Sequence, residues 1–219
     1  MLEGYGPAIL TGLGVTLRVA ALSLLVASAL GPWGFGAAVA GLVLAWGYSM
    51  PPVRLKMNGW WGNAACGICY EGLAWVTGAA VMAGGVMPDA RSLVLAALYS
   101  AGAHGIMTLN DFKSVEGDRL MGVRSLPVQL GVHRAAQTAC TFMILPQFVV
   151  AGLLLSWGQP VHAAIVAALI VLQALMMRRF LKAPTAQALW YSGFGVPLFV
   201  LGMMVSALAL RASLSSTAT

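Results

Sequence analysis

SLVLAALYSAGAHGIMTL (Ser92–Leu109) runs without interruption into NDFKSVEGDRLMGVRSLPVQ (Asn110–Gln129), and the contrast between the two halves decides the fold. The first half is apolar and close to the length that carries a helix across hydrocarbon, about 20 residues. The second holds three of the chain's six carboxylates, Asp111, Glu116 and Asp118, interleaved with Lys113, Arg119 and Arg124. A carboxylate beside a bilayer is costly unless it is paired, metal-bound or wetted. The segment therefore reads as a polar site at the membrane face, equipped for a metal ion and an anionic substrate.

Outward from this junction the same apolar texture continues. Hydrophobic residues make up 60% of the chain, charged residues 8%, and mean hydropathy is +0.86, far from soluble averages. An all-α, polytopic transmembrane bundle follows, with seven predicted spans: Leu13 to Leu30, Trp33 to Met50, Asn63 to Val86, Ser92 to Leu109, Ala135 to Ser156, Val161 to Leu181 and Trp190 to Leu210. The runs are continuous instead of alternating, which excludes a transmembrane barrel. No fixed-period repeat and no long polar linker divides the chain, so residues 1–219 form one membrane-embedded domain. The N-terminus, MLEGYGPAIL, lacks the basic start and cleavage site of a signal peptide.

Charge gives an orientation. Segments 51–62, 110–134 and 178–189 carry Arg54, Lys56, Lys113, Arg119, Arg124, Arg134, Arg178, Arg179 and Lys182, whereas the opposite connections offer only Arg91. The positive-inside rule places the acidic segment in the cytoplasm. The net charge of +6 reads as topology, and no feature calls for a nucleic-acid partner.

On a continuous helix Asp111 and Asp118 would share a face, about 20° apart and about 10 Å along the axis, with Glu116 turned away. Two carboxylates and waters suit magnesium, which prefers hard oxygen ligands and also binds substrate phosphate. The competing reading is a solvated loop of weak i to i+4 pairs. A second polar island, Tyr48 to Asn63, leaves its span through Pro51 and Pro52 and presents Arg54 and Lys56 at spacing i, i+2 from an expected extended stretch on the same membrane side. Trp60 and Trp61 suit the interfacial aromatic belt.

Two blocks carry a family resemblance: YSMPPVRLKMNGWWGNAACGICYEGLAW (48–75) and GAHGIMTLNDFKSVEGDRLMGVRSLPVQLGVHRAA (102–136). Both resemble the UbiA superfamily of membrane prenyltransferases, and within it the chlorophyll and bacteriochlorophyll synthase branch. The resemblance implies a nine-span helical fold with two Asp-rich motifs on cytoplasmic loops and Mg2+ bridging them to a prenyl diphosphate. It assigns Asp111, Asp118 and Arg119 as catalytic and Asp111, Asp118 and Glu116 as metal ligands. Substrate binding falls to Tyr48, Arg54, Lys56, Asn110, Lys113, Arg124, Glu71 and His104. Many relatives place an aspartate where this chain has Ser114. Nothing here matches the family's first motif, since only Glu3, Glu71 and Asp89 precede Asp111. The first span resembles the family's third, so the domain is expected to be N-terminally incomplete.

The implied activity is esterification of a (bacterio)chlorophyllide propionate with a geranylgeranyl or phytyl group, in the inner, intracytoplasmic photosynthetic membrane of a bacterium, beside other pigment-synthesis or photosystem assembly proteins. Two alternatives stay open: a related prenyltransferase with a quinone or haem acceptor, and a non-catalytic pigment-binding remnant. Individual residues also carry two readings. Glu71, mid-span, either lines a pigment cavity or packs in its protonated form, and His104 is either a ligand to the pigment's magnesium or a hydrogen-bonded core histidine. Tyr191 and Phe194 line a prenyl tunnel or anchor a span at the interface. Cys66 and Cys69 read as packing, because an isolated pair in an apolar helix lacks further ligands.

Overall fold

The computed structural model describes residues 6–216, with side chains from 10 to 213, and the regular elements among them are helices. α1 (Gly6–Ser28) and α2 (Gly31–Ser49) form the first hairpin. α3 (Gly59–Gly67), a π-helical turn (Ile68–Leu73) and α4 (Ala74–Met82) run on as one span, followed by α5 (Ala90–Asp111). Two short helices, α6 (Val115–Leu120) and α7 (Leu126–Leu130), lead into α8 (Val132–Ser156), α9 (Pro160–Lys182) and α10 (Pro184–Ser216). Glu3 and the start of the N-terminal segment lie outside the described residues.

A helix stands at each of the seven expected places, but six are long and apolar enough to cross a membrane. The exception is α2, GPWGFGAAVAGLVLAWGYS, whose Gly, Pro, Trp and Tyr dilute its apolar centre. Starts also move outward where caps set them. The Asn58 side chain accepts from the Trp60 amide at 3.0 Å and starts the third span at Gly59 instead of Asn63. Asp89 caps α5 in the same way through Ser92 N at 2.8 Å.

The core lies where α5 packs against α3, α8 and α10, and α9 closes the back by packing on α8 and α10. Leu95, Tyr99, Met143 and Val150 are fully buried there. Small residues permit the approach: a Cβ on Gly105 would run into the Ala139 carbonyl and Met143, the close helix contact typical of membrane interiors. Two pairs of buried polar side chains are matched across the helices. The Gln147 and Gln173 amides exchange hydrogen bonds at 3.1 and 3.0 Å, and the Tyr99 and Ser206 hydroxyls meet at 2.8 Å. The outward faces carry Leu145, Phe148, Leu172 and Met204, all exposed, as a lipid-facing surface requires.

Candidate functional site

The site is assembled where the loop between α2 and α3 meets the loop between α5 and α7. Main-chain atoms join them: Gly59 N donates to the Arg124 carbonyl at 2.8 Å and Arg124 N to the Met57 carbonyl at 3.0 Å, an isolated parallel bridge between Asn58 and Arg124. Glycine is needed at 59, because a Cβ there would lie 2.6 Å from Leu126 N and 3.0 Å from Ser125 C. The Gln129 side chain also donates to the Arg124 carbonyl.

Beneath this bridge, Asn63 on α3 donates from Nδ2 to Thr108 Oγ1 and to Asp111 Oδ2, both at 3.2 Å. Thr108 Oγ1 in turn donates to the His104 carbonyl at 2.9 Å. The Asp111 carboxylate, the last residue of α5, is thus held from below while the charges of Asp118 and Lys113 act on it from the loop. Tyr48, half-buried at the end of α2, faces Cys66 and the same carboxylate.

The expected single-helix register of Asp111 and Asp118 is not what brings them together. α5 ends at Asp111, a turn through Phe112 and Lys113 intervenes, and α6 begins at Val115. Ser114 joins the two ends, its hydroxyl reaching Asp118 Oδ2 at 3.1 Å and the Asp111 carbonyl at 3.4 Å. Phe112 supplies the reason for the break: its ring is buried and meets Phe180 edge-on at 5.5 Å, which turns the chain sideways after Asp111. Glu116 points away as expected and pairs with Arg119 at 3.2 Å, both well exposed. Among the described residues no three His, Cys, Asp or Glu side chains gather as a metal cage.

Arg54 and Lys56 do not project from an extended strand. Arg54 takes a left-handed conformation (φ 40°) and Leu55–Met57 form a 3₁₀ turn. A positive φ is uncommon for a residue with a Cβ and marks a constrained loop. Arg54, Lys56, Asn110, Lys113 and Arg124 are all exposed, and none of the four cations among them joins the one ion pair found among the described residues. Lys113 lies near enough to Asp111 for its charge to act on that carboxylate.

The deeper candidates separate from this cluster. His104 is buried, its Nε2 at 3.1 Å from the Trp60 carbonyl and its ring stacked on Phe142 at 4.4 Å, while its Nδ1 is buried with no partner among the described residues. It borders a cleft of about 510 Å³ between the α3–α4 span and α5, lined by Ile68, Leu73, Val76, Ala97 and Ser100. Glu71 sits half-buried in the π turn, a helix irregularity frequent at functional positions. Tyr191 is neither tunnel lining nor anchor: it is fully buried and stacked on Phe180 at 5.4 Å, while Phe194 is exposed. Asn63, Thr108 and Gly59 were not singled out by sequence. Polar residues inside otherwise apolar runs were the available signal for the first two.

Comparisons with known proteins bear on the family and the fold. A model of the UbiA prenyltransferase family matches residues 9–201. The bacteriochlorophyll synthase 33 kDa chain of Cereibacter sphaeroides is 54% identical over 200 residues, 91% of this chain and 66% of that one. Chlorophyll synthase, chloroplastic, of Arabidopsis thaliana is 42% identical over 179 residues, 81% of this chain and 46% of that one. The chain therefore spans less than two thirds of the length of either relative. A solved structure described as giving insight into digeranylgeranylglyceryl phosphate synthase in membranes superposes with a TM-score of 0.69 at 19% identity, covering 90% of this chain and 69% of that one. That likeness is one of fold.

Proposed function

The chain belongs to the UbiA prenyltransferase family, and on that premise we propose that it esterifies the propionate carboxylate of a (bacterio)chlorophyllide with a geranylgeranyl or phytyl group carried on diphosphate. The likeness to a bacteriochlorophyll synthase chain and to a chlorophyll synthase, at 54% and 42% identity, supports the acceptor. The observation that carries the chemistry is the pair of bridged loops, one holding Asp111, Lys113, Asp118 and Arg124 and the other Arg54 and Lys56.

Asp111 and Asp118 offer the hard oxygen donors that suit Mg2+, and Asn63 holds one oxygen of Asp111 and Ser114 one oxygen of Asp118. When bound, the ion supplies positive charge against the diphosphate. The free cations hold the diphosphate and stabilise charge on it as the bond from its oxygen to the allylic carbon breaks. The pigment's carboxylate forms the new carbon–oxygen bond. It is ionised at neutral pH, so the chain's task is alignment, and no protein nucleophile or general base is required. For Glu116 to join the ion it would first have to leave Arg119. The loops lie on the cytoplasmic face of a bacterial inner membrane in this reading, in line with the cations they carry.

The test is ester formation by this chain in nanodiscs, with chlorophyllide and geranylgeranyl diphosphate, read by mass spectrometry. We expect a product that disappears on chelation and returns with Mg2+. Prenylation of a quinone precursor or haem but not of chlorophyllide would reassign the acceptor. Tight pigment binding with no ester under any metal would instead indicate a binding protein.

A further inference from the structure

We propose that the turn between α9 and α10 binds the phosphate of an anionic phospholipid headgroup, in the leaflet on which the Asp111 loop opens. From Arg119 to the end of the sequence there is no aspartate or glutamate. Within that stretch Arg178, Arg179 and Lys182 gather on the last turns of α9. Arg178 and Lys182 are four residues apart and Arg179 and Lys182 three, so all three lie on neighbouring faces, and all are exposed. Their helix ends on the same side as α5, because α8 crosses away from the loop site and α9 returns.

Topology and the α9 dipole account for positive charge at this end. They do not account for how Arg179 is held. Its guanidinium lies over the Trp190 ring at 4.1 Å from the centroid, and its Nε donates to Gln187 Oε1 at 2.9 Å. Trp190 is itself braced by Phe194 at 5.8 Å. The plane of the guanidinium is thereby fixed, while its two terminal nitrogens have no partner among the described residues. A planar fork of this kind matches two oxygens of a phosphate, and Lys182 adds a point charge nearby. The apolar surface beside the turn favours a lipid over a free ion: Leu189 and Phe194 are 83% and 60% exposed, a surface on which an acyl chain can lie.

The experiment is native mass spectrometry of the detergent-purified, delipidated chain titrated with phosphatidylglycerol or phosphatidylcholine. Wild type should prefer phosphatidylglycerol. Each of R178Q, R179Q and K182Q should weaken it about fivefold, the contribution of one basic residue at an anionic surface. R91Q removes a cation that also sits over an indole, Trp157 at 5.4 Å, but at the opposite membrane face, and should bind as wild type. Should R179Q fail to fold, R178Q and K182Q carry the test, since neither side chain holds another residue. Equal binding of the two lipids, wild-type affinity in the triple variant, or an equal loss in R91Q would each overturn the proposal. Displacement of the lipid by an equal concentration of inorganic phosphate would overturn the lipid assignment in favour of a free-anion site.

Discussion

At Asn63 one amide nitrogen serves two acceptors, Thr108 and Asp111, so this residue decides which way the Asp111 carboxylate faces. Replacing it with alanine should leave the fold intact and lower prenyl transfer by about 10- to 100-fold, the usual effect of losing a group that orients a metal ligand. Raising Mg2+ should recover part of the loss if the defect is in metal affinity, which a titration of rate against Mg2+ will read. Asp111→Asn keeps the contact with Asn63 but removes the charge, and should lower kcat by about a hundredfold or more. A D111N enzyme with unchanged kcat would remove this carboxylate from the mechanism. The Ser114 hydroxyl ties Asp118 to the end of α5.

Among the elements, the two loops depend on one glycine. A methyl group at Gly59 would lie 2.6 Å from Leu126 N, too close for a backbone atom to yield cheaply, so Gly59→Ala should destabilise by about 1–3 kcal/mol and reduce activity by separating the loops. Thermal unfolding and the ester assay on the same preparation check both effects. A normal melting temperature with normal activity would mean that the bridge is dispensable. This is also where the sequence stopped being informative. Charge density located the Asp111 segment, and Pro51 and Pro52 located the other loop, because both signals are local. Their joining is a main-chain contact between residues 58 and 124, and main-chain contacts leave no mark in side-chain pattern. The break after Asp111 was equally hidden: Phe112, Lys113 and Ser114 include no helix breaker, and the turn follows from burial of Phe112 against Phe180 on α9, a tertiary effect that overrides local propensity.

Across the whole molecule, the spans were legible because crossing hydrocarbon demands length and apolarity together, both readable along one dimension. The order of packing was not. Gln147 and Gln173 look like interruptions in two apolar runs, yet they form one reciprocal buried pair that fixes α8 against α9. Gln147→Leu should cost about 1–3 kcal/mol by leaving the Gln173 amide unmatched, whereas Q147L with Q173L should lie nearer to wild type. Unfolding in a graded detergent mixture, run as a double-mutant cycle, measures that coupling. Additive losses would show that the pair is not a unit. The bridge between the loops has a different kind of consequence, one for descent and design. Its hydrogen bonds come from the backbone at Met57, Gly59 and Arg124, so outside Gly59 it constrains shape without dictating chemistry. Side chains on both loops that neither face the diphosphate nor cap α3 are then free to drift under selection for a new acceptor or tail while the frame that presents them is inherited unchanged, which makes Val53, Leu55, Met57 and 120–123 the places to randomise in a library.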